Sequence, residues 1–168
     1  RLVAGSEGTL CIITEAKVNL ESLPKMKGLA VVQFNSLFEA MEATVSILRH
    51  SPSAVELMDG FLIRQCRQSP GYARRLYFLD GEPGAILTVE FYAESEEELK
   101  SKLEGLREEL LDWRLAYACT LMTEPKEQAN VAAVRRASFG ILASVRGDAK
   151  AIPFVEDTAV APEKLAEY

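Results

Sequence analysis

The chain has 168 residues, of which 48% are hydrophobic and 26% charged, an ordinary globular composition that excludes a disordered chain, a collagen and a coiled-coil rod. Nineteen lysines and arginines face 25 aspartates and glutamates, and the net charge of −6 argues against a nucleic-acid partner, because such proteins usually carry a basic face. No apolar run approaches the roughly 20 residues that a membrane-spanning helix needs, so we expect no transmembrane segment.

Cysteine and histidine are scarce, which limits the chemistry. Cys11, Cys66 and Cys119 form no C-x-x-C pair, so the sequence predicts neither a disulfide framework nor a zinc or iron–sulfur site, and it favours a reducing compartment. The single histidine, His50, cannot alone build a histidine-based triad or metal centre. It ends a helical pattern beside Pro52, where a histidine commonly satisfies terminal carbonyls.

The first half of the chain predicts a strand, a helix and a strand. Residues 9–20 are rich in Ile, Val and Thr and predict a strand or bent strand pair, and residues 27–34 predict a second one. Ser36 and Glu39 form an S-x-x-E capping box that begins a helix with one apolar face, which Pro52 ends.

Residues 53–58 then alternate as a short strand. Asp59 is suited to cap a further segment that continues toward Cys66. Residues 68–84 predict a loop with a short helix.

The second half repeats this order. Residues 86–93 predict a strand, Ser95 and Glu98 form another capping box, and residues 113–122 predict a closing strand. The helix between them carries an apolar stripe that we interpret as core: Leu99, Leu103, Leu106 and Leu110. Two such units in succession are the double βαβ pattern of a ferredoxin-like α+β fold, an antiparallel sheet with helices packed on it.

A third helix is predicted from Pro125 to about Leu142, and residues 152–160 predict an edge strand. The chain starts without an initiator methionine or a signal peptide, and the helical turn that starts at Pro162 carries no stop signal. We therefore expect the sequence to be a fragment of a longer polypeptide.

The run Gly5-Ser6-Glu7-Gly8-Thr9-Leu10 is the first segment that could carry chemistry. Two glycines three residues apart let a backbone approach a ligand closely and offer N–H donors to phosphate or ring oxygens. The same run is a competent tight turn without any ligand, so the residues alone leave both interpretations open.

Arg135 and Arg136 on the third helix, together with Glu156 and Asp157, form the second such segment. An arginine can bind a carboxylate through two parallel hydrogen bonds. Adjacent helical residues point about 100° apart, so we expect at most one of the two arginines to face a given pocket. Alternatively, both are surface charges and the acidic pair marks a helix start before Pro162.

Four strings follow one another along nearly the whole chain: VAGSEGTLCIITEAKVNL, AVELMD, VRRASFGIL and AIPFVEDTAVAPEKL. Together they resemble the FAD-linked oxidases of the vanillyl-alcohol oxidase superfamily, and among these the glycolate oxidase catalytic subunit and the bacterial D-lactate and D-2-hydroxyglutarate dehydrogenases. The resemblance implies that residues 1–22 end an FAD-binding domain. It also implies that residues 23–168 form a C-terminally truncated substrate domain, a ferredoxin-like cap over the flavin.

The resemblance further implies site residues. Those that would line the FAD are Gly5, Ser6, Glu7, Gly8, Thr9, Leu10, Ile12 and Ile13, and Cys11 stands where the family normally has glycine. The substrate carboxylate would be bound by Arg135, with Arg136 as the second choice, and Glu156 lies in a segment that returns toward the site. No catalytic residue is assigned, because the histidines that bind a divalent metal and assist proton removal in relatives would lie outside this chain.

The implied activity of the full-length parent is oxidation of a D-2-hydroxy acid of the glycolate, D-lactate or D-2-hydroxyglutarate type to the 2-keto acid, with hydride transfer to FAD. The fragment alone is expected to be inactive. An electron acceptor or iron–sulfur partner and a homodimer are further implied options. The expected location is cytoplasmic, with peripheral attachment to the inner face of the membrane as an option.

A different class of function is also open. A ferredoxin-like fold can be a free-standing module that binds a small molecule or dimerises without catalysis, since fold does not settle function. In the dimer version, an apolar sheet face left open would drive the association.

Overall fold

The structure is a computed structural model that describes residues 2–20, 22–145, 147–148 and 158–168. Its centre is a four-stranded antiparallel sheet with the spatial order β2-β3-β1-β4. The strands are β1 (Met26–Phe34), β2 (Ala54–Asp59), β3 (Ala85–Ala93) and β4 (Ala118–Met122). This arrangement confirms the predicted ferredoxin-like α+β fold.

Helices connect the strands and cover the sheet. They are α1 (Leu37–Arg49), α2 (Gly60–Gln68), α3 (Pro70–Ala73), α4 (Glu96–Asp112), α5 (Pro125–Ala143) and a 3₁₀ helix (Pro162–Lys164). Helices α1 and α4 make the crossovers of the two βαβ units, whereas α2 and α3 lie between β2 and β3, and α5 follows β4. None of the helices in the described ranges has the length and apolar character that crossing a bilayer requires.

Side-chain caps fix where three of the helices begin. Ser36 Oγ accepts a hydrogen bond from the Glu39 N–H at 3.2 Å, and Ser95 Oγ accepts one from the Glu98 N–H at 3.2 Å. Each glutamate carboxylate accepts in return from the N–H one residue before the cap. Both predicted capping boxes are thus confirmed, as is the cap by Asp59, whose Oδ1 accepts from a backbone N–H three residues on at 2.8 Å.

One face of the sheet, which we call the α1/α4 face, packs against helices α1 and α4. The four leucines of the predicted stripe on α4 are each at most 1% exposed. They belong to the same buried cluster as these strand residues: Ala30, Val32, Phe34, Leu87, Val89 and Phe91. A Cβ at Gly28 would lie 2.8 Å from the Cδ1 atoms of Leu99 and Leu103, so the missing side chain lets α4 lie close to the strand. This face is a close-packed apolar core.

The opposite face, which we call the α5 face, packs against helices α2 and α5. Its apolar residues are Leu29, Val31, Met58, Ile86 and Met122 from the strands and Leu62, Ile63, Cys66, Val131 and Val134 from the helices. The buried polar residues Gln33 and Thr88 also lie on this face. Because α2 and α5 cover this face, the expected open apolar sheet face is absent from the described residues, and dimerisation itself stays a prediction.

Gln33 is fully buried on the α5 face, and four groups satisfy its amide. Its Oε1 accepts from the Asp80 N–H at 2.7 Å and from the Tyr117 hydroxyl at 3.4 Å. Its Nε2 donates to the Phe78 carbonyl at 3.3 Å and lies 3.5 Å from Thr120 Oγ1. The side chain therefore ties β1 both to β4 and to the loop before β3, without leaving a buried donor or acceptor unpaired.

The prediction of a strand at residues 9–20 is wrong. Residues 11–20 have no regular secondary structure, and their apolar side chains are exposed, with Ile12 at 91% and Leu20 at 90%. A strand needs a neighbour to pair with its N–H and C=O groups, and the described residues place no strand beside this segment.

Two other strand predictions differ from the structure. Strand β4 begins at Ala118 and not at Trp113, because Arg114 adopts φ +54° and the Leu115 N–H bonds back to the Leu110 carbonyl at 2.9 Å, which closes α4 with a tight turn. Of the predicted edge strand at residues 152–160, residues 152–157 lie outside the described residues, and residues 158–160 have no regular secondary structure.

His50 ends helix α1, as predicted, but its ring contacts a carboxylate and not terminal carbonyls. The backbone N–H donates to the Ile47 carbonyl at 3.1 Å, and ring Nε2 lies 3.0 Å from Glu109 Oε2 on α4. Arg49 Nη2 donates to Glu109 Oε1, also at 3.0 Å. The hydrogen bond from Arg49, together with the weaker influence of His50, lowers the pKa of Glu109 below its ordinary value.

Candidate anion-binding cavity

A cavity of about 220 Å³ lies between helix α5 and the α5 face of the sheet. Seven of its ten lining residues are charged or polar, unlike the apolar cluster beside it. The lining residues are Lys27, Leu29, Glu56, Thr88, Glu90, Gln128, Val131, Ala132, Arg135 and Arg136.

Strand and helix geometry bring these residues together. The strand residues all point to the α5 face, because side chains of one strand alternate between faces, and Glu56 on β2 lies directly opposite Thr88 on β3. The helix residues occupy positions i, i+3, i+4, i+7 and i+8 from Gln128 onward, which is one side of α5. Buried Val131 and Val134 seat that helix on the sheet.

Gln128 fixes the start of helix α5 above the sheet. Its Nε2 lies 2.9 Å from the Lys27 carbonyl oxygen on β1, 3.2 Å from that of Met122 at the end of β4 and 3.1 Å from that of Thr123. Because the Gln128 amide contacts both β1 and the end of β4, it fixes the distance between the start of α5 and the sheet. This distance sets the depth of the cavity.

Two ion pairs cross the cavity. Arg135 Nε on α5 bonds Glu56 Oε2 on β2, and Lys27 Nζ on β1 bonds Glu90 Oε2 on β3. A hydrogen bond to the Glu90 carboxylate raises the pKa of the neighbouring Tyr92 hydroxyl. Each carboxylate of the cavity therefore has a cationic partner.

Arg136 is the remaining charged group of the cavity, and it has no ion-pair or hydrogen-bond partner among the residues that the structure describes. Three cationic side chains thus face two carboxylates, which leaves one positive charge in excess. A planar guanidinium offers paired N–H donors that match a carboxylate or phosphate. The arrangement is suited to bind a small anion.

The structure places both predicted arginines at this one cavity, so the prediction that at most one would face a given pocket is wrong. Adjacent positions on α5 differ in direction by about 100°, but both arginine side chains are long, and both line the cavity between α5 and the sheet. Glu156 and Asp157 lie outside the described residues. The described residues contain no cluster of three or more His, Cys, Asp or Glu side chains that could hold a metal ion.

Sequence reasoning missed Lys27, Glu56 and Glu90. A signal was present, because Thr88 and Glu90 are polar residues two apart in an otherwise apolar strand, and Glu56 is two residues before buried Met58. Polar residues that share one face of a buried strand indicate a cavity on that face. The partners could not be read from the sequence, because β1, β2, β3 and α5 meet only through the fold.

The segment at residues 5–13 consists of turns followed by exposed chain without regular secondary structure. Ser6 Oγ donates to the Val3 carbonyl at 2.8 Å, Thr9 Oγ1 donates to the Ser6 carbonyl at 2.6 Å, and Gly8 has φ +77°. Of these described residues, none lines the cavity. The other predicted cofactor residues belong to the same turns and irregular chain, and the two isoleucines among them are exposed: Gly5, Glu7, Leu10, Ile12 and Ile13.

The structure is thus an α+β domain with two arginines at a cavity whose charge is suited to a small anion. Residues 23–168 match the family model described as FAD linked oxidases, C-terminal domain. The chain belongs to this family.

The chain is also similar in sequence to several named dehydrogenases. The chain is 29% identical over 175 residues to a D-2-hydroxyglutarate dehydrogenase of Pseudomonas putida, a match that covers 99% of this chain and 17% of the relative. It is also 29% identical over 170 residues to a D-lactate dehydrogenase of Archaeoglobus fulgidus, covering 99% of this chain and 34% of the relative. The D-2-hydroxyglutarate dehydrogenase of Escherichia coli is 28% identical over 177 residues, covering 100% of this chain and 17% of the relative. The chain thus spans only a part of the length of these curated relatives.

Proposed function

We propose that the chain is part of a longer flavin-dependent oxidoreductase that oxidises a D-2-hydroxy acid, of the D-2-hydroxyglutarate, D-lactate or glycolate type, to the 2-keto acid. The names of the relatives support the substrate class. The observation that carries the proposal is the cavity under α5, which two arginines line and where positive charge is in excess. Such a cavity matches the carboxylate that every 2-hydroxy acid carries.

In this proposal Arg135 and Arg136 bind the substrate carboxylate. Carboxylate and guanidinium form charge-assisted, paired hydrogen bonds, which fix both the position and the direction of the acid. Holding the acid in this way sets its hydroxyl-bearing carbon in a defined place, and such orientation contributes much of the rate of a two-reactant step. Of the other cavity charges, Lys27 and Glu90 pair with each other, and Glu56 pairs with Arg135 itself.

Residues 1–22 belong in this proposal to the end of the FAD-binding domain, and residues 23–168 to the substrate domain. The start of the family match at residue 23 supports the boundary. The exposed side chains of Leu10, Ile12 and Ile13 support contact with a group outside the described fold, since apolar side chains are rarely exposed in series.

The turn at residues 5–9 is compatible with a flavin lying against it. A Cβ at Gly8 would meet no atom within 4 Å, so the backbone there is open to a ligand. In the proposed enzyme, bound FAD supplies the acceptor for the hydride of the hydroxy acid. The residues that would contact it are Gly5, Ser6, Glu7, Gly8, Thr9, Leu10, Ile12 and Ile13.

In this proposal the residues of the cavity bind and orient the hydroxy acid, and residues outside the cavity remove its proton. The described lining of the cavity contains arginine, lysine, glutamate and glutamine but not histidine. Both glutamates already bond a cationic side chain, Glu56 with Arg135 and Glu90 with Lys27, so neither offers an unpaired carboxylate to the substrate hydroxyl. The proposal therefore places the general base, any divalent metal and the final electron acceptor outside the residues that line this cavity.

The test is anaerobic flavin spectroscopy on the full-length polypeptide that contains this chain. D-2-hydroxyglutarate, D-lactate and glycolate are added in turn, and bleaching of the flavin bands by one of them is the expected result. Arg135→Gln should raise the concentration of acid needed for half-bleaching at least about tenfold, the effect of losing one charge-assisted interaction.

Arg75→Gln is the matched control, because Arg75 also contacts α5, through Asn130 at 2.8 Å, but does not line the cavity. It should leave the half-bleaching concentration unchanged. A protein that is colourless and gains no flavin bands with added FAD would contradict the oxidoreductase and leave a non-catalytic module as the better explanation.

A further inference from the structure

Glu56 raises a physical question, because it places a carboxylate in a cavity suited to an anion. A carboxylate there repels a second carboxylate, which weakens binding of an acid. Its ion pair with Arg135 does little for stability, since the two side chains are 38% and 54% exposed and solvent screens such pairs. Neither folding nor simple anion attraction therefore accounts for its presence.

The atoms of the ion pair provide an answer. Glu56 Oε2 bonds Nε of Arg135, which is the donor nearest the side-chain stem. A guanidinium is planar and carries five N–H donors, so a bond at Nε fixes the plane while the two terminal Nη groups stay available as a pair. Within the described part of the chain, Arg135 has no other ion pair or hydrogen bond.

Glu56 is itself held by the sheet. It lies in β2 directly opposite Thr88 of β3, and Thr88 Oγ1 donates to the Glu56 carbonyl at 3.3 Å. Arg135, in contrast, extends from α5 with more than half of its side chain exposed. A carboxylate on a rigid strand can therefore restrict a long and otherwise mobile arginine.

We propose that Glu56 is a positioning residue that holds the Arg135 guanidinium through Nε, so that its two Nη groups bind the substrate carboxylate. The inference rests on the proposed function, because it takes Arg135 as the substrate ligand. It adds a residue outside the predicted site and gives its carboxylate a role: orientation of the cation that binds the acid.

The experiment compares Glu56→Ala, which removes the acceptor, with Glu56→Gln, which removes the charge but keeps an acceptor oxygen. In the full-length flavoprotein we measure KM and kcat for the acid that bleaches the flavin, the Kd of its 2-keto acid product by calorimetry, and Tm. Glu56→Ala should raise KM and the product Kd about tenfold, with Tm unchanged, since a hydrogen bond to a charged group has this size. Glu56→Gln should restore part of the loss.

Glu90→Ala is the matched control, because it removes the other ion-paired carboxylate of the cavity, whose partner is Lys27. Loss of negative charge alone should not raise KM for an anion. Equal increases for Glu90→Ala and Glu56→Ala would overturn the positioning role, as would a lower KM for Glu56→Ala, which would make Glu56 a competitor of the substrate. A lower Tm with KM unchanged would reduce Glu56 to a structural residue.

The outcomes also separate this inference from the function on which it rests. If the wild-type protein is reduced by a 2-hydroxy acid and binds the 2-keto acid, but Glu56→Ala behaves like the wild type, only the role of Glu56 fails. If the wild-type protein shows neither reduction nor binding, the proposed function fails, and the role of Glu56 fails with it.

Discussion

The two faces of the sheet are built from the same strands but from different kinds of residue. Strand β3 turns Leu87, Val89 and Phe91 to the α1/α4 face, and all are at most 2% exposed. The positions between them include Thr88 and Glu90, which line the cavity on the α5 face. A single strand can therefore contribute to an apolar core and to a charged cavity, because successive side chains point to opposite sides of the sheet.

The apolar core and the charged cavity also differ in what they contribute to the protein: the core to stability and the cavity to binding. Apolar burial, which fills the α1/α4 face and also lies beside the cavity on the α5 face, stabilises the fold, whereas the half-exposed ion pairs of the cavity contribute little. Substitutions on the first face should therefore change stability, and substitutions of the cavity charges should change binding. The following substitutions test how packing, buried hydrogen bonds and surface charge contribute to stability, in decreasing order of the change expected.

Leu106→Ala should cause the largest loss of stability. Leu106 is fully buried between α4 and the α1/α4 face, and a leucine-to-alanine change in such a site leaves a cavity that costs about 2–5 kcal/mol in the free energy of unfolding. Leu111→Ala on the same helix is the control, because Leu111 is 38% exposed and should lose much less. Urea unfolding followed by circular dichroism measures both, and equal losses would contradict a core at this face.

Gln33→Leu tests the polar part of the α5 face. The change keeps the volume but leaves the Asp80 N–H and the Phe78 carbonyl without this partner in a buried place, which costs about 1–3 kcal/mol. Exposed Gln68 offers the control Gln68→Leu, with little expected change. If Gln33→Leu were as stable as the wild type, this face would tolerate an apolar core as well as the other does.

Gly28→Ala and Gly105→Ala should change stability in opposite directions. A Cβ at Gly28 meets Leu99 and Leu103 at 2.8 Å, and because these leucine ends can move aside we expect a loss of about 1 kcal/mol. Gly105 lies inside α4, where an added Cβ would meet no atom within 4 Å, so alanine there should gain about 0.5–1 kcal/mol through higher helix propensity. Thermal unfolding of both variants measures the signs, and a gain at Gly28 would show that α4 does not pack closely there.

Glu109→Gln should have the smallest effect, with a definite pH dependence. Arg49, followed by His50, lowers the pKa of Glu109 in the folded chain, so the stabilisation is fully present above the ordinary glutamate pKa and is lost as pH falls through the lowered value. At neutral pH we expect a loss of about 1 kcal/mol or less, because solvent screens the group. The wild-type and variant unfolding curves should converge in acid, and Glu108→Gln should show no such convergence.

Local signals make much of the fold predictable. The two capping boxes and the leucine stripe depend on residues three or four apart, and the structure has them where the sequence predicts them. The strand prediction at residues 9–20 is wrong, because β-propensity describes one chain segment while a strand also needs a partner.

The cavity is predictable only in part. The sequence identifies Arg135 and Arg136 on their helix, but Glu56 and Lys27 reach the same cavity through pairings between distant segments. Register between strands far apart in the chain is a property of the folded sheet, so no local pattern reveals which carboxylate meets which cation.

The strand order has a consequence for how the chain acquires its structure during synthesis. Strand β1 pairs only with β3 and β4, and β2 pairs only with β3, so no two strands of the described sheet can join before residues 85–93 have been made. Until then the apolar strand at residues 26–34 has no partner and is open to chaperones or to other nascent chains. About half of this chain must therefore be synthesised before any strands of the described sheet can pair, and β3 is the element that allows pairing to begin.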